Sequence, residues 1–392
     1  AVPVSEHRHT RRPPPEVLRR RRLMAAGLAA AVVAVVAGVL VAASGAHGGR
    51  SAAGGGGPTT SAPARSTTTV PLAPVTIAAV GDMELGNTPA VPGDPVAYLQ
   101  PVAAALAAPV VFGNLEGTLT DTATGSKCGA ASTQCYAFRN PTSFAQAFRT
   151  TGFTVLNSAN NHAHDFDAQG AADTTAALQA AGIAQAGLPG QIAVQSVGRT
   201  RVAFVDFAPY PTANNLLDLP GAAALLARAR TQADLVVAYM HAGAEGTDAA
   251  HVTGQEESYV GEDRGNARAF AHAAVDAGAD LVLASGPHVL RGMEAYRGHL
   301  VAYSLGNFAG DGNFSTAGTL ALSAILRVTL SGAGAFQSGR FTSLLLTGQG
   351  QPTIDTTGRA AAFVNQLSTA DFGPAAVTIA PDGTLVLPAP AG

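Results

Sequence analysis

The sequence predicts an α/β domain, on three observations. Apolar runs of strand length recur along the chain, amphipathic stretches of helical period lie between them, and polar residues gather where the runs end. The runs are VTIAAVG (75–81), VVFGN (110–114), FTVLNSA (153–159), RVAFVDFA (201–208), DLVVAYMHAG (234–243), DLVLASG (280–286) and LVAYSLGNF (300–308). Their near-continuous apolarity predicts strands covered on both faces.

Between them, RGNARAFAHAAVDAGAD puts Ala267, Phe270, Ala271, Ala274 and Val275 on one helical face, with Gly278 as the stop. The last 70 or so residues, with LSAILRVTL and RFTSLLLTGQG, read as a β-rich antiparallel ending.

The amino end is different in kind. Residues 1–22 are basic and hold seven arginines; residues 23–43 are apolar and uncharged, about the 20 residues that cross a bilayer core as a helix. Only Arg50 follows closely, so the positive-inside rule leaves the amino end in the cytoplasm and the rest outside. The segment therefore predicts a single-pass membrane anchor; the alternative is a cleaved signal, with Ser44-Gly45-Ala46 as the cleavage site and a secreted product. Residues 44–74 form a Gly/Ser/Thr/Pro-rich linker with too little apolar surface to fold, and residues 75–392 form the globular domain.

Of 392 residues 12% are charged, for a net charge of -3, so no basic face for nucleic acid is indicated. Cys128 and Cys135, the only cysteines, stand in GSKCGAASTQCYAF; outside the membrane they predict a small disulfide loop, since two cysteines alone make a poor zinc site.

In α/β sheets ligands bind beyond the carboxyl ends of strands. Here five such ends carry groups able to hold a metal: Gly81-Asp82-Met83-Glu84, Gly113-Asn114-Leu115-Glu116, Asn160-Asn161-His162, His241-Ala242-Gly243-Ala244-Glu245 and Ser285-Gly286-Pro287-His288. Singly, each reads equally well as a helix cap, a turn or a satisfied loop residue. Together and in this order, ending in YSLGNF, they resemble the CapA or poly-γ-glutamate capsule biosynthesis family. The resemblance runs from about Val75 to Phe308, and NNHAHD and AYSLGNF are its most specific parts.

That resemblance implies a calcineurin-like metallophosphatase fold, two mixed β-sheets sandwiched between helices. It also implies roles for single residues. Asp82, Glu84 and His288 serve one metal, Glu116 bridges, and Asn161 and His241 serve the other. His162 becomes the proton donor to a leaving oxygen, oriented by Asp165 or His164. Two departures stand out: Ser285 replaces the first histidine of the last motif, removing a ligand of the second metal, and Glu84 stands where a histidine is usual. The oxygen-rich set favours Mn²⁺ or Mg²⁺ over zinc, with one firm metal and one weak one.

Three functions follow as expectations: capsule or poly-γ-glutamate biosynthesis at the membrane, within a capsule-synthesis complex and with metal-dependent hydrolysis; a general extracytoplasmic phosphoesterase; or a non-catalytic polymer-binding subunit. For an anionic polymer, Arg291 and Arg297 are candidate carboxylate contacts, unless both are solvated surface charges.

Overall fold

A computed structural model describes residues 71–129 and 135–389. The basic segment, the apolar span and nearly all of the linker lie outside the described residues. Among the described residues no helix is long and apolar enough to cross a membrane.

In chain order the main elements are β1 (Val75–Met83), α1 (Pro95–Leu106), β2 (Val110–Leu115), α2 (Phe144–Thr151), β3 (Val155–Asn157), α3 (Asp167–Ala180), β4 (Ala184–Ala186), β5 (Ala193–Val197) and β6 (Thr200–Ala208). They continue with α4 (Leu219–Gln232), β7 (Leu235–His241), α5 (Ala267–Asp276), β8 (Leu281–Ser285), β9 (Met293–Tyr296), β10 (His299–Ala302), β11 (Asn307–Ala309), β12 (Leu322–Leu330), β13 (Phe336–Thr347), β14 (Gln351–Ile354) and α6 (Arg359–Phe372).

Two mixed sheets result. The first runs β14-β13-β12-β1-β2-β3-β4, with β11 also beside β1; the second runs β9-β10-β8-β7-β6-β5. β1, β2, β3 and β4 are parallel, as are β6, β7, β8 and β10, while β12, β13 and β14 are antiparallel.

The sheets pack face to face. Ile77, Val110 and Phe112 of the first share one core with Phe204, Val237 and Leu283 of the second. Phe112 stacks on Phe204 at 5.5 Å and meets Tyr239 at 5.2 Å. Each such fully buried side chain contributes roughly 1.5–3 kcal/mol. The outer face of the first sheet is covered by α1, α2 and α3, through Leu99, Phe148 and Leu178; that of the second by α4 and α5, through Leu226 and Phe270. This is why the strands read as apolar throughout rather than alternating.

Local signals set the helix ends. Asp94 caps α1 by accepting from the N–H groups of Val96 and Ala97 at 3.0 Å, and Asn266 caps α5 through Ala269 N–H at 2.9 Å. The five predicted residues of α5 are all buried, and Gly278, at φ 103°, ends it.

One expectation is corrected. LVAYSLGNF is not one strand: β10 belongs to the second sheet and β11 to the first, so Tyr303–Gly306 carries the chain from one to the other. Its mostly apolar composition hid the crossing, which is buried throughout. Gly306 has φ 62°, and its carbonyl oxygen would lie 1.8 Å from a Cβ on Gly81, so both positions require glycine. The carboxyl-terminal region is β-rich and antiparallel as expected, through β12, β13 and β14, and adds α6, which buries Ala360, Val364, Leu367 and Phe372.

Candidate metal centre

The two sheets present the carboxyl ends of their parallel strands to one another, and the polar residues meet there. Asp82 lies near the end of β1, Glu116 follows β2, and His241 closes β7. Each offers a ligand atom within 4.8 Å of the other two, and all three are buried.

The donor set fits a divalent cation. Both Glu116 carboxylate oxygens and His241 Nε2 are buried without a hydrogen-bond partner, as is Glu84 Oε1. His241 Nε2 stands 3.6 Å from Glu116 Oε1, beyond a hydrogen bond. Buried polar atoms left unpaired are costly, and a cation would satisfy them. Electrostatics agree. Burial, then the neighbouring charges of Asp82, Glu84 and Glu245, push the Glu116 carboxyl well above its usual range; burial, then Asp165 and Asp82, does the same to Glu84. Burial, then Arg264 and His288, holds His241 well below the usual imidazole value.

His288 sits at the same mouth. Its Nδ1 lies 3.4 Å from Asp82 Oδ2 and 2.8 Å from Asn307 Oδ1, while its Nε2 lies 3.7 Å from Glu116 Oε1 and 3.8 Å from Glu245 Oε2. Its φ of 57° is a left-handed conformation that a non-glycine residue adopts at a cost of about 1–3 kcal/mol, the kind of strain that collects at functional sites. The β10–β11 crossing explains Asn307: β11 pairs with β1 in the register Asp82↔Asn307, so its side chain reaches His288.

Asparagines frame the cluster from below. Asn114 Nδ2 donates to Asp82 Oδ1 at 2.8 Å, and Asn114 Oδ1 accepts from Asn157 at 2.6 Å and Asn160 at 2.9 Å. Asn160 is fully committed, because its Oδ1 also accepts the His162 N–H at 3.0 Å. Asn161 is not: its Oδ1 is buried without a partner, and it lines a cavity shared with Glu245 and Arg264.

His162 lines the cavity of about 500 Å³ over the cluster, together with Glu84, Glu116, Glu245 and His288. Its Nδ1 lies 2.8 Å from Asp165 Oδ2. Of the two candidates to orient it, Asp165 rather than His164 makes the contact. Burial lowers the His162 pKa, offset in part by Asp165.

Ser285 ends β8 where a histidine was expected from the resemblance. Its hydroxyl donates to Asp82 Oδ1 and shares a 2.5 Å hydrogen bond with Tyr239. Arg291 departs from both readings of it: it is buried and grips Glu257 through two bonds of 2.9 and 2.7 Å, so it is neither a solvated charge nor free for a ligand. Arg297 is an exposed residue paired with Asp276 at 3.1 Å.

Other residues at the site carried weaker signals. Glu245 and Asn307 stand inside the motifs that marked the site, yet neither was singled out. Arg264 had no signal at all; it is buried, and holds Glu245 and Tyr210 together with Glu262 at 3.2 Å.

Comparison with known proteins bears on the family of the chain. The family model described as "Bacterial capsule synthesis protein PGA_cap" matches residues 76–312. The "Capsule biosynthesis protein CapA" of Bacillus anthracis is 32% identical over 186 residues, covering 42% of this chain and 42% of its own length. The "PGA biosynthesis protein CapA" of Bacillus subtilis (strain 168) is 32% identical over 183 residues, 42% of this chain and 45% of its own. Each match thus spans less than half of the relative. Among solved structures, a putative 5'-nucleotidase from Staphylococcus aureus aligns at a TM-score of 0.41 and 13% identity, over 75% of this chain and 58% of that one. A 5'-nucleotidase precursor from Thermus thermophilus aligns at 0.36 and 15%, over 76% and 59%. With the family model matching more than half of its residues, this chain belongs to the bacterial capsule synthesis (PGA_cap) family.

Proposed function

We propose that the chain acts in capsule or poly-γ-glutamate biosynthesis as a membrane-anchored, extracytoplasmic protein with a divalent-metal centre of the metallophosphatase type. The capsule comes from the name of the Bacillus anthracis relative, the polymer from that of the Bacillus subtilis one, and the orientation from the basic residues 1–22 ahead of the apolar residues 23–43. The observation that carries the metal is the buried Asp82–Glu116–His241 cluster, whose Glu116 oxygens and His241 Nε2 have no partner. His288, Glu84 and Asn161 complete the candidate ligands, and the predominance of oxygen suits Mn²⁺ or Mg²⁺.

A cation there would supply Lewis-acid polarisation of a substrate oxygen. The remaining chemistry belongs to the chain. Asp165 holds His162 by Nδ1, which leaves Nε2 for proton transfer at the cavity. Phe138 and Phe314 pack against the rings of His162 and His288 and limit water on those faces.

Ser285 favours a second reading, a polymer-binding or assembly subunit without turnover, because a hydroxyl bonded to Asp82 leaves the second metal short of an imidazole. The two separate in one experiment. With Mn²⁺ and a generic phosphodiester, hydrolysis is expected to depend on metal and to fall about 10²–10⁴-fold in His162→Ala. Metal binding without any turnover, alongside poly-γ-glutamate binding, selects the second reading; absence of bound metal overturns the centre itself.

A further inference from the structure

The segments on either side of the Cys128–Cys135 disulfide close on a single carboxylate. Before the bridge, Lys127 Nζ lies 2.6 Å from Asp165 Oδ1, and the Lys127 N–H donates to the Asp165 carbonyl at 2.8 Å. Beyond it, the Phe138 N–H donates to Asp165 Oδ2 at 2.6 Å, and the Phe138 ring lies 4.6 Å from the imidazole of His162. Asp165 is fully buried and orients His162 through Nδ1.

Other bonds reach the same flanks: the Lys127 ammonium donates to the Asn161 carbonyl at 3.1 Å, and the Phe138 carbonyl accepts from the Thr118 N–H at 3.1 Å and its hydroxyl at 3.0 Å. Among the described residues no helix or strand lies between Leu119 and Arg139, and the sequence there is mostly Gly, Ser, Thr and Ala. A covalent link between the two flanks reduces the conformations open to Lys127 and Phe138 together. Lys127 is also the cation nearest Asp165, and its ammonium compensates a carboxylate with no access to water.

We propose that the disulfide and Lys127 form a positioning device for the His162–Asp165 pair. Lys127 is the positioning residue, and the Cys128–Cys135 bond keeps it and Phe138 on opposite oxygens of the same carboxylate. This rests on His162 being the proton-transfer group of the site. It implies that the centre matures only where the thiols are oxidised, as they are outside the cytoplasm.

The test reads the position of His162 directly. The full chain is labelled with diethyl pyrocarbonate, which acylates unprotonated imidazole nitrogen, and the modified peptides are quantified by mass spectrometry. His251, an exposed histidine paired with Asp371, is the internal reference. In Cys128→Ser/Cys135→Ser and in Lys127→Met, labelling of His162 relative to His251 is expected to rise about tenfold, the factor that 1.4 kcal/mol of lost ordering carries. Lys127→Arg, which keeps a cation, is expected to restore the wild-type ratio. Because Lys127→Met retains the disulfide, it decides the matter if the double variant fails to fold. A His162 ratio unchanged in Lys127→Met, or a rise shared equally by His251, overturns the proposal. Mn²⁺ binding on the same variants is expected to stay at the wild-type level, and its loss in Lys127→Met would also overturn it by showing general collapse of the site. A wild-type chain that binds no Mn²⁺ would refute the metal centre, while the labelling comparison would still decide the positioning.

Discussion

Ser285 donates its hydroxyl to Oδ1 of Asp82, and Tyr239 holds that hydroxyl in place at 2.5 Å. The residue that occupies a histidine's position therefore acts on the cluster from behind, fixing one oxygen of Asp82 and leaving the other near His288.

Ser285→Ala is expected to leave the fold intact and weaken Mn²⁺ binding about tenfold, as loss of an outer-shell partner does. Isothermal titration of the two proteins checks it. Equal affinities would mean that the hydroxyl has no part in holding Asp82.

Asp206 on β6 is buried, with neither carboxylate oxygen hydrogen-bonded, and burial raises its pKa well above the usual value. The folded chain keeps a proton there that the unfolded chain has released above about pH 4. Stability from this group is thus present below the unfolded pKa and is lost as pH rises toward the folded one. Asp206→Asn removes the dependence, so the variant should gain on the wild type by up to about 1.4 kcal/mol per pH unit across that window. Urea unfolding at pH 5 and pH 7 measures the gain; parallel stability curves would contradict it.

Arg264→Met should destabilise the chain by about 3–5 kcal/mol, because Glu245 loses its buried partner and Tyr210 and Glu262 lose theirs. Denaturant midpoints test this. A loss under about 1 kcal/mol would show the cluster to be no stronger than a surface pair.

Much of this arrangement was legible beforehand, and the exceptions share a cause. Asp82, Glu116 and His241 converge because each ends a parallel strand, and strand ends are readable from where apolarity stops. The same local reasoning placed α5 and its glycine stop, and paired the two cysteines. Arg264 and Arg291 could not be read that way. A buried arginine depends on carboxylates that folding brings to it, here Glu245 and Glu257, and nothing in their local sequence announces the pairing. The β10–β11 crossing escaped for a related reason: a run buried by one sheet and a run buried by two look alike in composition. Asn307 therefore became intelligible only beside Asp82.

The most direct measurement is the metal content of the full chain after equilibration with Mn²⁺ and removal of excess, read by inductively coupled plasma mass spectrometry. At least one equivalent should be retained by the wild type and lost in both Asp82→Ala and His288→Ala, each still folded by circular dichroism. A wild-type chain that retains no divalent metal, with His288→Ala unchanged in stability, would contradict the metal centre.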